Sequence, residues 1–147
     1  MSTAPTGWAR QPPPDSSHAT SAWTWVLTRP GDLTAARGQL RAASTGDQLP
    51  RAADDDVERL LLAFEELASN ALRHGRAPVQ VRVAACREGW LVDATDGDVD
   101  RSPVPAVDRD PALGGLGLHL IARLAALVGW EVVGARKHVW ACVVPAG

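Results

Sequence analysis

The stretch Glu65-Glu66-Leu67-Ala68-Ser69-Asn70-Ala71-Leu72-Arg73-His74, closed by Gly75, decides how this chain folds. Leu60, Phe64, Leu67 and Ala71 recur at the 3.6-residue spacing of one helix face, and Val57 and Ala68 widen it. Upstream, Asp54-Asp55-Asp56 places negative charge in a first turn, and Gly75 supplies a stop. The pattern predicts a helix from about Ala53 to His74. At about 100° per residue, Glu66, Asn70 and Arg73 form a second stripe at the edge of the apolar one, with His74 between them. A carboxylate and a carboxamide one turn apart suit a site where the amide oxygen holds Mg²⁺ and the carboxylate orients a nucleophile. The same spacing also serves a solvated face with an i,i+4 hydrogen bond, and the helix alone does not choose between the two.

Working outward, Trp23–Thr28 has the β-branched and aromatic character of a strand, stopped by Arg29-Pro30-Gly31. Asp32 then caps a helix from Leu33 to about Ser44, and Gly46–Pro50 breaks the chain. After the long helix, Val79, Val81 and Val83 alternate with Gln80 and Arg82, Glu88-Gly89 turns, and Trp90–Asp96 returns as the second strand of a hairpin. Residues 97–113 carry Gly97, Pro103, Pro105 and Pro111 and read as a loop. Gly114-Gly115-Leu116-Gly117 opens a helix to about Val128, with Gly129 as its stop, and Trp130–Val133 and His138–Val144 form a last strand pair. The order βα-α-ββ-α-ββ predicts a two-layer α/β (α+β) sandwich, its mixed, mostly antiparallel sheet covered on one face by three helices. Residues 1–20, with Pro12-Pro13-Pro14, read as a disordered tail, and residues 21–147 as a single domain.

Composition narrows the function classes. The 147 residues are 46% apolar, enough for one core. A formal charge of −2 with 15 scattered basic residues lacks the basic stripe of a nucleic-acid binder. Cys86 and Cys142 have no companions at zinc spacing and read as reduced. Met1–Arg10 is unlike a signal peptide, and Leu116–Trp130 is too short and too charged to span a bilayer, so a cytoplasmic protein with no membrane partner is expected.

Two further elements bear on chemistry. Asp96 ends the Trp90 strand, where a carboxylate could accept a hydrogen bond from an exocyclic amine. It shares a face with Trp90, Val92 and Ala94, while its competitor Asp93 shares one with Leu91 and Thr95. Gly114–Leu118 leads into a helix whose first N–H groups could cradle phosphate. It is not a Walker A loop, because no Lys-Ser/Thr follows, and Leu120 stands where G-x-G-x-x-G requires glycine.

In this order the three elements resemble the N, G1 and G2 boxes of the Bergerat-fold (GHKL) ATPases, the superfamily of gyrase, heat-shock chaperone and histidine kinase domains. The closest resemblance is to the anti-sigma-factor serine/threonine kinases and their actinobacterial relatives, and Lys137-His138-Val139-Trp140-Ala141 is similar to their last strand. It covers about residues 23–144. The resemblance implies ATP and Mg²⁺ as cofactors, Glu66 as general base and Asn70 as Mg²⁺ ligand, with Glu65 out of register. It also implies Asp96 on the adenine amine, Gly115, Gly117 and Leu118 as phosphate-facing backbone, and Arg73 and His74 bordering the phosphates. The implied partner is a sigma factor and/or an anti-sigma antagonist phosphorylated on serine, with a homodimer also within the family's range. Asp98 replaces the second G1 glycine, His138 stands where the family often has an adenine-side threonine, and the 97–113 loop is short for a lid. Those departures keep a second expectation open, a nucleotide-gated protein-binding module without kinase activity. A histidine kinase is disfavoured, since His18 is the only histidine upstream and no dimerisation helices precede the domain.

Overall fold

The computed structural model describes residues 8–16, 19, 21–45, 54–86, 89–103 and 116–144. Five strands, β1 (Ser21–Leu27), β2 (Val79–Cys86), β3 (Gly89–Asp96), β4 (Leu127–Val133) and β5 (Arg136–Val143), form one sheet. Among the described residues, three helices, α1 (Pro30–Thr45), α2 (Asp54–His74) and α3 (Leu116–Leu124), accompany the sheet in the expected chain order. The sheet order is β1-β2-β3-β5-β4, with each neighbouring pair antiparallel. Among the described residues its parallel component is one bridge, Arg10 to Trp130.

The periodicities explain the layers. In α2, Val57, Leu60, Leu61, Phe64, Leu67, Ala68 and Ala71 are all buried, and the helix packs on β2, β3 and β5. The sheet answers with Val79, Val81 and Val83 from β2, Trp90, Val92 and Ala94 from β3, and Val139, Ala141 and Val143 from β5. Trp25 meets Phe64 edge-to-face at 5.2 Å between ring centroids, tying β1 to α2. α1 covers β1 and one side of α2, while α3 rests on the other side of α2 and the adjoining part of β5.

Three local expectations change. Asp32 does not precede its helix. Pro30 is the first helical residue, and from the third position the Asp32 carboxylate accepts the N–H groups of Thr28 (2.8 Å) and Arg29 (3.2 Å). These bonds hold its carboxyl below the usual range. α3 ends at Leu124 rather than near Val128, and Gly129 lies inside β4 opposite Trp140. A β-carbon on Gly129 would come 2.7 Å from the Trp140 ring and 2.8 Å from Gln11 Cγ, so this glycine provides a notch, not a helix stop.

The third change is the N-terminal segment. Expected as part of a disordered tail, residues 8–11 instead lie along β4. Gln11 N–H donates to Trp130 O (2.8 Å) and Trp130 N–H to Ala9 O (3.1 Å). Trp8 is buried in the main core, Arg10 lies over the Trp130 ring at 5.0 Å, and Trp140 Nε1–H donates to Gln11 O at 3.0 Å. Proline-rich composition signals poor packing on average, but two indole donors and a strand edge satisfy this segment. Beyond it, Ser16 accepts from Arg82 (2.9 Å). Ala19 and the half-buried, reduced Cys142 pack on Ala84, Leu91 and Trp140, on the sheet face away from the helices. The N-terminal segment therefore straps part of that outer face. Among the described residues no helix is long and apolar enough to cross a membrane.

Candidate functional site

The last turns of α2 bring the expected residues to one end of the sandwich. Glu65 turns away to Arg37 of α1 at 3.0 Å. Glu66 and Asn70, one turn apart, are both half-buried. Neither side chain hydrogen-bonds another described residue. Glu66 abuts the first turn of α3 so closely that a β-carbon on Gly117 would lie 1.9 Å from Glu66 Oε2. Gly117 thus has no side chain because Glu66 occupies that space. Burial pushes the Glu66 carboxyl up, and the neighbouring Glu65 charge adds to this, while Arg73 opposes it.

Arg73 is exposed and donates to Ser69 Oγ (3.1 Å), whereas His74 is half-buried. The Leu118 side chain enters the core, so only its backbone faces the α3 entrance. Gly117 and Leu118 lie in the first helical turn, whose N–H groups have no partner within the helix. Gly115 lies outside the described residues, as do residues 104–113 of the expected loop.

Strand alternation separates the two aspartates. Asp96 faces the helices and is 1% exposed, while Asp93 faces the outer side. Gly75 makes room for Asp96, since a β-carbon there would come 2.5 Å from Asp96 Cγ. Asp96 Oδ1 accepts from Asp98 N–H (2.7 Å) and Arg76 N–H (3.4 Å). Its Oδ2 lies 3.6 Å from Lys137 Nζ, in an ion pair whose side chains are 2% and 4% exposed. Lys137 also donates to Arg101 O (2.8 Å), pinning the segment after β3.

Sequence reasoning missed Lys137 and placed His138 in its stead. In β5 the core-facing positions are Lys137, Val139, Ala141 and Val143. His138 therefore points to the outer face, where Nδ1 meets Asp93 Oδ2 at 2.9 Å. The Asp93 hydrogen bond raises the His138 pKa, with burial opposing. A signal was present: Lys137 is the only lysine of the chain and has the apolar parity of its strand. Asp98, expected to load negative charge onto the site, has Arg101 at 3.8 Å as partial compensation.

Among the described residues no group of three His, Cys, Asp or Glu side chains converges as a metal cage. A Mg²⁺ ion held by one protein oxygen together with ligand phosphates needs no cage, and Asn70 Oδ1 fits that role. Glu66 and Asn70, polar and without a hydrogen-bond partner among the described residues, lie beside the Gly117 entrance of α3 and fit a phosphate-bearing ligand. Asp96 Oδ2 retains acceptor capacity for an amine, shared with Lys137. Two clefts elsewhere, about 190 Å³ around His138 and about 480 Å³ between β1 and α1, do not include these residues.

Residues 26–143 match the family described as histidine kinase-like ATPase domain. No curated protein matches the chain significantly.

Proposed function

Since the chain belongs to the histidine kinase-like ATPase domain family, we propose that it is a cytoplasmic Mg-ATP-binding regulator of the anti-sigma type, a protein serine/threonine kinase acting on an anti-sigma antagonist. The observation that carries the nucleotide part is the pair Glu66 and Asn70 at the Gly117 entrance, two polar side chains without a hydrogen-bond partner among the described residues. ATP supplies the transferable phosphoryl group, and Mg²⁺ neutralises its charge. Asn70 Oδ1 is the metal ligand. Gly117 and Leu118 N–H groups meet phosphate oxygens, with Arg73 and His74 at their border, and Gly115 by resemblance. Asp96 accepts the adenine amine. Glu66, its carboxyl raised by burial toward the working pH, accepts the proton of an acceptor hydroxyl. The sigma-factor or antagonist partner rests on the order of the three elements and the Lys137–Ala141 ending.

Calorimetry with ATP and Mg²⁺ tests binding, with Asn70→Ala as control, and no heat from the unmodified chain would overturn the reading. Transfer of labelled γ-phosphate to a cognate antagonist, abolished by Glu66→Ala, tests the kinase step. A second reading, a nucleotide-gated binding module without transfer, is favoured by one observation. Glu66 Oε2 is already pressed against Gly117 of the α3 entrance, the space an acceptor hydroxyl would need. Binding without transfer, with partner affinity altered by ATP, would select it.

A further inference from the structure

The strap reaches the nucleotide end of the molecule through one residue. Trp8 is 6% exposed, lies in the main core and donates Nε1–H to Leu118 O at 3.1 Å. Leu118 follows Gly117, the residue seated against Glu66. α3 has nine residues, too few to be stable as an isolated helix, so packing sets its position. Of its described side chains only Leu118 and Ile121 are fully buried. The body of the domain is shaped to receive the strap. Gly129 leaves the notch taken by Gln11, Gln11 Nε2–H donates to Val128 O at 2.9 Å, and both backbone groups of Trp130 are used by Ala9 and Gln11.

We propose that Trp8 is a positioning residue for the nucleotide site: through its hydrogen bond to Leu118 it fixes the first turn of α3, and with it Gly117, against Glu66. The proposal rests on the Mg-ATP reading above. With the indole in place, the α3 entrance is held in one arrangement. Without the donor the first turn samples others, and apparent affinity falls by the fraction of competent molecules. By reciprocity, Mg-ATP strengthens docking of the strap.

Trp8→Phe keeps most of the apolar volume and removes the donor. Gly129→Ala disturbs the strap from its other end, touching neither Trp8 nor the site. Three measurements are made on the full chain: Mg-ATP affinity by calorimetry, thermal melting, and ligand-free hydrogen exchange at Ile121 and Ala122 of α3, with Phe64 and Leu67 of α2 as reference. Loss of one hydrogen bond predicts a Kd raised by about two-fold up to about five-fold for Trp8→Phe, five-fold being the ceiling that about 1 kcal/mol sets. Faster exchange in α3 than in α2 is expected in both variants. In the unmodified chain, Mg-ATP slows exchange at the Gln11 amide. A lowered melting point with unchanged Kd and unchanged α3 exchange makes Trp8 merely structural and overturns the proposal. If the unmodified chain binds no Mg-ATP, the nucleotide reading falls separately. The ligand-free exchange then decides alone: α3 loosened supports positioning by Trp8, and α3 unchanged refutes it.

Discussion

Replacing Lys137 with Met should cost this domain about 3 kcal/mol. The Lys137 and Asp96 side chains are 4% and 2% exposed, so water does not screen them. Removing one partner of a buried pair typically costs about 3–5 kcal/mol, because the other charge is left uncompensated. The lower end applies because Asp96 keeps two N–H donors, from Asp98 and Arg76, and Met preserves the packing of the lysine stem. At about 2.1 cal/mol/K of unfolding entropy per residue, 3 kcal/mol lowers Tm by about 10 °C in a chain of 147 residues. Thermal denaturation followed by circular dichroism reads this directly. The shift should be the same in roughly 0.05 M and 0.5 M salt, since a buried pair is screened little. The exposed pair Arg41–Glu58, at 44% and 56%, is the control, and Arg41→Ala should lower Tm far less than Lys137→Met does. Adding Asp96→Asn to Lys137→Met removes the stranded charge and should recover more than half of the loss. A Lys137→Met protein melting within about 2 °C of the original, or strictly additive single losses, would refute this account of the pair.

Gly117→Ala should leave Tm nearly unchanged, since about 1 kcal/mol of helix propensity gained offsets the off-rotamer shift forced on Glu66. Mg-ATP binding or phosphoryl transfer should nonetheless fall at least about ten-fold; a variant as active as the original would place Glu66 outside the chemistry. Glu66→Gln tests the raised carboxyl. A folded-state value above the unfolded one means the ionised form is disfavoured on folding. The variant should therefore melt higher than the original at pH 7–8, with the gain fading as pH falls through the carboxylate range. His138 has the opposite sign pattern. Its raised value contributes stability that is fully present below the unfolded histidine pKa, about 6.5, and is lost as pH rises through the folded value. In urea midpoints His138→Ala should be further below the original at pH 6 than at pH 9. Its Mg-ATP affinity should be unchanged, because the ring faces the outer side of the sheet.

The element order and the side-chain parity were legible in the sequence. Helix and strand periods are local, and the chain states them plainly from Leu60 to Ala71 and from Val79 to Val83. That parity also put Asp96 and Asp93 on opposite faces of their strand, whereas only the family resemblance set Glu65 apart from Glu66 and Asn70. What the sequence did not state lies in contacts between distant segments. Gly129 reads as a helix stop until Trp140 and Gln11 are seen to fill its space; Gly75 reads as a helix stop and Gly117 as a helix entry until Asp96 and Glu66 are found against them. Lys137 was hidden because a lysine is ordinarily a surface residue, and only the β5 register pairs it with Asp96. The strap is the largest case. Its proline-rich composition has no period of its own, and its order comes from the free edge of β4, about 120 residues away along the chain, and from a core site for one indole. Local propensity thus determined the elements and which side chains share a face. Burial against partners remote in sequence decided which polar groups are paired, which glycines face a filled space, and where residues 8–11 lie.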